Sequence, residues 1–322
     1  MDTSYGLPAD IRLIDDMHLG QRHVIGTYLL LGDEPAIVDP GPSSVLPALE
    51  AGLRSHGVAP EELRALVLTH IHLDHAGATG TLVRAFPHLR VYVHQRGAPH
   101  LVAPERLIRS ATRIYGDQMG ALWGELLPVP EANITALAGG ETVQLGGRAL
   151  RVYDAPGHAS HHLLYLEESS GAAFVGDTAG LRMPGYRYAR PATPPPDVDL
   201  EAWRRTLDTL LQLGPRMLCL THFGPAFDVR RHLEALWSNT LRWAEVVRAS
   251  LARGEDQASV LARLAALTEE ELGAEASPEA RSHYEQASSI EMNWRGLERY
   301  WRTRGAADKE RRGGTHTGRD SG

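Results

Sequence analysis

Cysteine is nearly missing from this chain: Cys219 stands alone among 322 residues. An internal disulfide is therefore excluded, and a cysteine-built structural zinc site or iron–sulfur cluster with it. Its setting, Met217-Leu218-Cys219-Leu220, is that of a small core residue on a strand. Long apolar runs are also lacking. No stretch approaches the roughly eighteen residues of a membrane-crossing helix, and the opening MDTSYGLPADIRLIDD has no basic segment leading into an apolar one. The expectation is a cytoplasmic protein with no membrane partner. Positive charge has no excess either, since 33 Lys and Arg against 40 Asp and Glu leave a net −7. With the basic residues scattered, the footprint for gripping a phosphate backbone is absent, so nucleic acid is not an expected partner.

What is present is a chain able to bury a core, with 43% hydrophobic and 23% charged residues. TYLLLGDEPAIVDPG (27–41) reads as two short strands around a Gly-Asp-Glu-Pro turn, followed by a helix from about Val45 to His56. ALVLTH (65–70) is an apolar strand that stops at a histidine. RVYVH (90–94) is another strand, and TVQLGGRALRVYDAPG and HLLYLEESSGAAFVGD each read as strand, tight turn, strand. Leu200, Trp203, Leu207, Leu210 and Leu211 keep helical spacing before the MLCLTH strand. Hairpins early and again in mid-chain, interrupted by helices, fit two packed sheets flanked by helices in an α/β fold.

Beyond Asp228 the pattern is helical only, with Leu233, Leu236, Trp237, Leu241, Ala244, Val247 and Leu251 on one face. The expected organisation is a catalytic domain over 1–229, a helical region over 230–303, and a disordered tail over 304–322, which is rich in Gly, Arg and Thr.

The chemistry concentrates in Thr69-His70-Ile71-His72-Leu73-Asp74-His75-Ala76-Gly77, three imidazoles and a carboxylate directly after a strand. His70 and His72 share one side of an extended segment, whereas Asp74 and His75 are adjacent and point apart, so one loop can serve two ions. Nitrogen and oxygen donors of this kind suit zinc, and also iron or manganese. Three further candidates stand at strand ends beside glycine: His158 in DAPGHASHH, Asp177 in AAFVGDT and His222 in LCLTHFGP.

The order THxHxDHxG, GH, GD, H resembles the metallo-β-lactamase superfamily over roughly residues 20–229. That resemblance implies a four-layer αβ/βα sandwich with a C-terminal helical extension. It implies one metal held by His70, His72 and His158, a second by Asp74, His75 and His222, and Asp177 as the bridge. Two divalent ions per chain follow, zinc in the first place, with iron or manganese as alternatives. Antibiotic-degrading members of the commonest class carry Cys where this chain has Asp177, and flavodiiron proteins resemble HxExDH at the first motif. The pattern is most similar to glyoxalase II and the lactonases. The implied activity is hydrolysis of an ester, thioester or lactone by a shared hydroxide generated near neutral pH, with Asp74 or a metal-bound water managing the proton. Alternatives are a small-molecule phosphodiesterase, a mononuclear-iron persulfide dioxygenase, and a non-catalytic metal-binding protein.

Among the neighbours, His162 takes a supporting role behind the ligands, while His23, His94 and His100 are left as surface or core histidines. Asp39 is either a turn residue before Pro-Gly or a carboxylate orienting a ligand histidine. The stretch 181–196, with Tyr186, Arg187, Tyr188 and Arg190 among prolines, either walls a pocket or is a rigid surface loop. The face formed by Tyr284, Trp294, Leu297, Tyr300 and Trp301 reads as helix packing or as a homodimer contact. The segment after 229 either walls the metal cleft or packs behind the sandwich. The expected partner is a small-molecule substrate.

Overall fold

The computed structural model of the protein describes residues 5–274 and 276–313. The first sheet runs in chain order through β1 (Ile11–Asp15), β2 (Gly26–Leu30), β3 (Ala36–Val38), β4 (Ala65–Val67), β5 (Arg90–His94) and β6 (Ile134–Leu137). Pairing is antiparallel as far as β3 and parallel from there. The second sheet holds β7 (Thr142–Leu145), β8 (Arg148–Asp154), β9 (Leu163–Glu167), β10 (Ala172–Phe174), β11 (Met217–Leu220) and β12 (Gly224–Ala226). Only its β10–β11 pair is parallel.

The helices preceding the second sheet are α1 (Leu46–Ser55), α2 (Leu73–Ala76), α3 (Thr79–Ala85), α4 (Ala98–Val102), α5 (Glu105–Tyr115) and α6 (Met119–Trp123). After them come α7 (Leu200–Leu213), which crosses from β10 to β11, then α8 (Val229–Arg253), α9 (Gln257–Leu272), α10 (Pro278–Ala287) and α11 (Ile290–Gly313).

Alternation along the strands builds four layers. Tyr28, Leu30 and Val38 of the first sheet meet Leu163, Tyr165, Phe174 and Cys219 of the second in the inner core. Their chain neighbours Leu29, Ile37 and Leu66 face outward into a second core with α1, α3 and α4. Leu164, Leu166 and Leu218 likewise face outward, onto Trp203 and Leu207 of α7 and Leu233, Leu236 and Trp243 of α8. Two buried phenols fasten the sheets: Tyr28 donates to the Leu220 carbonyl at 3.0 Å and Tyr165 to that of Leu68 at 2.8 Å. Both bonds lie just behind the strand ends that carry the histidines.

After β12 the described chain is helical only, and most of the α8 stripe packs behind the second sheet, leaving Leu241 exposed. Leu297 and Tyr300 bury into that same core, with Trp294 and Trp301 packed against it. Helix α11 continues past residue 303 to Gly313. It thereby enters the 304–322 tract. Residues 314–322 of that tract lie outside the described residues. Among the described residues no helix is long and apolar enough to cross a membrane.

Candidate metal centre

At one edge of the sandwich the loop after β4, the segment before β9 and the turns after β10 and β11 converge, and they bring the seven expected residues into two adjacent groups. His70, His72 and His158 form one; Asp74, His75, Asp177 and His222 form the other, with ligand-type atoms in each group within 4.8 Å of one another. Both groups draw from both sheets.

The imidazole tautomers follow from the bonds on the far side of each ring. His158 Nδ1–H donates to the Ala192 carbonyl at 2.8 Å, and His222 Nδ1–H to that of Val24. His75 Nδ1–H donates to Asp39 at 2.8 Å. Thr69 spends its own hydroxyl proton on Asp39 and so accepts from His70 Nδ1–H at 3.1 Å. Each of these four rings is thereby left with an Nε2 lone pair turned inward, as metal ligation requires. His70 Nε2 and His158 Nε2 stand 2.9 and 3.0 Å from His72 Nδ1, three nitrogens around one point.

The second group is a set of donors fit for a cation. His75 Nε2, His222 Nε2 and Asp177 Oδ1 are buried with no hydrogen-bond partner. Such orphans cost about 1–3 kcal/mol each when nothing binds them. Asp177 turns Oδ1 toward His75 and His222, at 3.3 and 3.5 Å, and Oδ2 toward His158 of the first group at 3.6 Å. Asp74 Oδ2 lies 3.4 Å from His222 Nε2. Burial pushes His70 and His72 well below the ordinary imidazole range, helped by the neighbouring rings, so they stay neutral donors. Burial also disfavours charge on His75 and His222, but the carboxylates, Asp177 foremost, outweigh it and raise both. The pair of carboxylates thus asks for positive charge in a place where a divalent ion would supply it.

A sequence model of the metallo-beta-lactamase superfamily matches residues 24–222, more than half of the chain. The chain belongs to this superfamily. The metallo-beta-lactamase fold-containing protein ST1585 of Sulfurisphaera tokodaii is 29% identical over 167 residues, 51% of this chain and 62% of that protein. A hydroxyacylglutathione hydrolase of Synechococcus is 33% identical over 145 residues, 44% of this chain and 43% of that protein. The chain therefore spans about half the length of the curated relatives it matches. The crystal structure of the metallo-beta-lactamase family protein TTHA1429 from Thermus thermophilus superposes with a TM-score of 0.67 at 24% identity, covering 93% of this chain and 95% of that one. At that identity the likeness establishes the fold.

Around the superfamily motif, Asp39 turns out to be an orienting carboxylate. Besides His75 it accepts from the Thr69 N–H at 2.8 Å and the Thr221 hydroxyl at 3.2 Å, and it sits at a left-handed φ of 53°. Such a backbone is held only where several bonds over-determine it. His162 packs against His70 with ring centres 4.6 Å apart and shares a hydrogen bond with Thr178. Gly176, at φ +45°, is required before Asp177, since a Cβ there would come within 2.4 Å of the Thr69 hydroxyl. Two features escaped the sequence reading. Arg190, neither pocket wall nor surface, is 2% exposed. It donates to the Tyr284 and Ser288 carbonyls at 2.8 and 2.9 Å and lies against the rings of Tyr188, Trp243 and Tyr284. His232 of α8 donates from Nε2 to the Ala179 carbonyl at 2.8 Å, pinning the turn that carries Asp177.

The ligand groups open onto a cavity of about 660 Å³ whose floor includes His72, Asp74 and Asp177. One wall is α5 and α6, and another is the proline stretch Pro194–Pro196 with Asp197. A third is the α10–α11 junction, from Glu285 to Met292. The helical region thus splits: α8 backs the sandwich while α10 and α11 reach the cleft. Gln286 joins that wall to the N-terminal part by donating to the His18 carbonyl at 3.2 Å. His100, left unassigned from the sequence, also lines the cavity.

Proposed function

We propose that this protein is a hydrolase of a small-molecule ester, thioester or lactone, working with two divalent ions, zinc in the first place. His70, His72 and His158 would hold one ion and Asp74, His75 and His222 the other, with Asp177 between them. One observation carries this reading: inward lone pairs and orphaned buried atoms fill two neighbouring groups, and Asp177 offers one oxygen to each. An intact second group also favours two ions over the single iron of a persulfide dioxygenase, which would leave Asp74, His75 and His222 without a role. The names of the hydroxyacylglutathione hydrolases among the relatives support acyl hydrolysis over phosphodiester cleavage.

Ions held there would bring the pKa of a water toward neutrality and polarise a substrate carbonyl. The chain's own part is to position and to move the proton. Asp39, Thr69, Ala192 and Val24 lock the ligand rings from behind, so little reorganisation remains at the moment of reaction. Asp74 is the partly exposed carboxylate of the set and faces the cavity. Burial pushes it up, but His75 and His222 outweigh this and hold it below the usual carboxylate range, so it is ionised at neutral pH and could relay a proton but not keep it.

The test is elemental analysis together with a panel of p-nitrophenyl esters, lactones, glutathione thioesters and bis-p-nitrophenyl phosphate. About two metals per chain and turnover of an ester, thioester or lactone are expected, and Asp177→Ala should lose both the turnover and metal. No transition metal bound after reconstitution, or cleavage of the phosphodiester alone, would overturn the reading.

A further inference from the structure

The charge and polarity of the cavity narrow the substrate. Helix α5 presents Leu107, Ala111, Ile114 and Tyr115 on one face, the spacing of a core-facing stripe. Of that face only Leu107 also packs against a core, the outer one of the first sheet. Leu107, Ala111 and Tyr115 make a small cluster with Leu73 and Trp123, and all four residues of the face line the cavity. Ile114 and, across the cleft, Met292 are half-buried cavity residues that belong to no hydrophobic cluster among the described residues. Apolar groups held this way gain from a ligand that removes them from water.

The charged lining points in the same direction. Apart from histidines, Arg106 at the rim is its one cation among the described residues. Beyond the ligand carboxylates it has Asp197, which accepts from the Ser160 hydroxyl at 2.6 Å, and Glu285, 3.3 Å from Arg190. A leaving group bearing two carboxylates, such as glutathione, would meet two acids and a single exposed arginine. The volume is in the range of sites that enclose most of a drug-sized ligand.

We infer that the cavity binds an uncharged substrate whose medium-length apolar acyl or ring portion lies against Leu107, Ile114, Tyr115 and Trp123, with Met292 closing over it. This deepens the hydrolase reading and rests on it for the chemistry; the binding itself is testable without turnover. Calorimetry on the metal-loaded protein would compare octanamide with acetamide, amides that report binding without depending on ester cleavage. A buried methylene is worth about fourfold in affinity, so burying only half of the six extra ones predicts about 60-fold tighter binding of octanamide. Ile114→Glu, on a half-exposed helix face, should reduce that preference to below about tenfold, and Met292→Glu does the same from the opposite wall should the first variant not fold. S-methylglutathione should not displace octanamide.

Equal binding of the two amides, or displacement by S-methylglutathione, overturns the inference, as does an unchanged preference in a folded Ile114→Glu or Met292→Glu protein. Should octanamide bind as expected while no octanoyl or acetyl ester, thioester or lactone of matching chain length is cleaved, the hydrolase reading falls and the apolar site stands.

Discussion

Acid should weaken this fold through His232, and the size of the effect can be worked out. The ring is buried on α8, and burial, followed by the nearby Arg182, pushes its pKa from the ordinary 6.5 to about 4, although its bond to Ala179 resists this. In the unfolded chain the same ring titrates near 6.5. Above that pH neither state is protonated and the fold has its full stability. As the pH falls from 6.5 toward 4 the unfolded chain takes up a proton that the folded one refuses, so stability drops, and below 4 this contribution levels off. At about pH 5 the loss is about 2 kcal/mol, from 1.36 kcal/mol per pH unit over nearly one and a half units. His232→Gln keeps an N–H for the Ala179 carbonyl and removes the titration. Urea unfolding of both proteins at about pH 7.5 and about pH 5, in the same metal state, isolates the effect. The other buried imidazoles titrate too, but they cancel in the difference between the two proteins. The variant should gain about 2 kcal/mol on the wild type between the two pH values. A gap that stays constant would mean His232 is already charged in the fold or accessible to water, and the reasoning would fail.

Two further substitutions probe the supports. Asp39→Asn should lower metal affinity about 10- to 100-fold in chelator competition, because the amide no longer offers His75 a charged acceptor; unchanged affinity would make Asp39 a turn residue only. Arg190→Met should cost about 2–3 kcal/mol, since two carbonyls lose a charged donor. A melting temperature equal to that of the wild type would show that the proline stretch and α10 hold together without it.

The residues that come together were legible because strand-end motifs are local: His70, His72, Asp74 and His75 follow one apolar run, and His158, Asp177 and His222 each follow another near a glycine. The inner strands were legible for the same reason. The walls of the cavity were not. Helices α4 and α6 are five residues each, too short to show a helical repeat, and the apolar stripe of α5 does not by itself tell a cleft wall from a core face. Strand β1 and the β6 edge carry polar residues within short spans, Arg12 and Thr135 among them, and gave no clean alternation. Asp39 could not be assigned from sequence, since Asp-Pro-Gly is a turn signal whatever the carboxylate touches. Arg190 defies composition rules, because its burial depends, beside the nearby ring of Tyr188, on two rings and two carbonyls contributed from far along the chain.

That each ligand group takes members from both sheets has a consequence for how the molecule holds together. An ion bound by His70 and His72 on one side and His158 on the other is a cross-link between distant stretches of chain, and so is one bound by His75 and His222. In a protein whose single cysteine allows no covalent staple, two such ions would stabilise the fold by binding the folded chain and not the unfolded one, in which the ligands are far apart. Stripping the metal would then do more than silence the chemistry: it would unfasten one half of the sandwich from the other at the edge where the cleft opens.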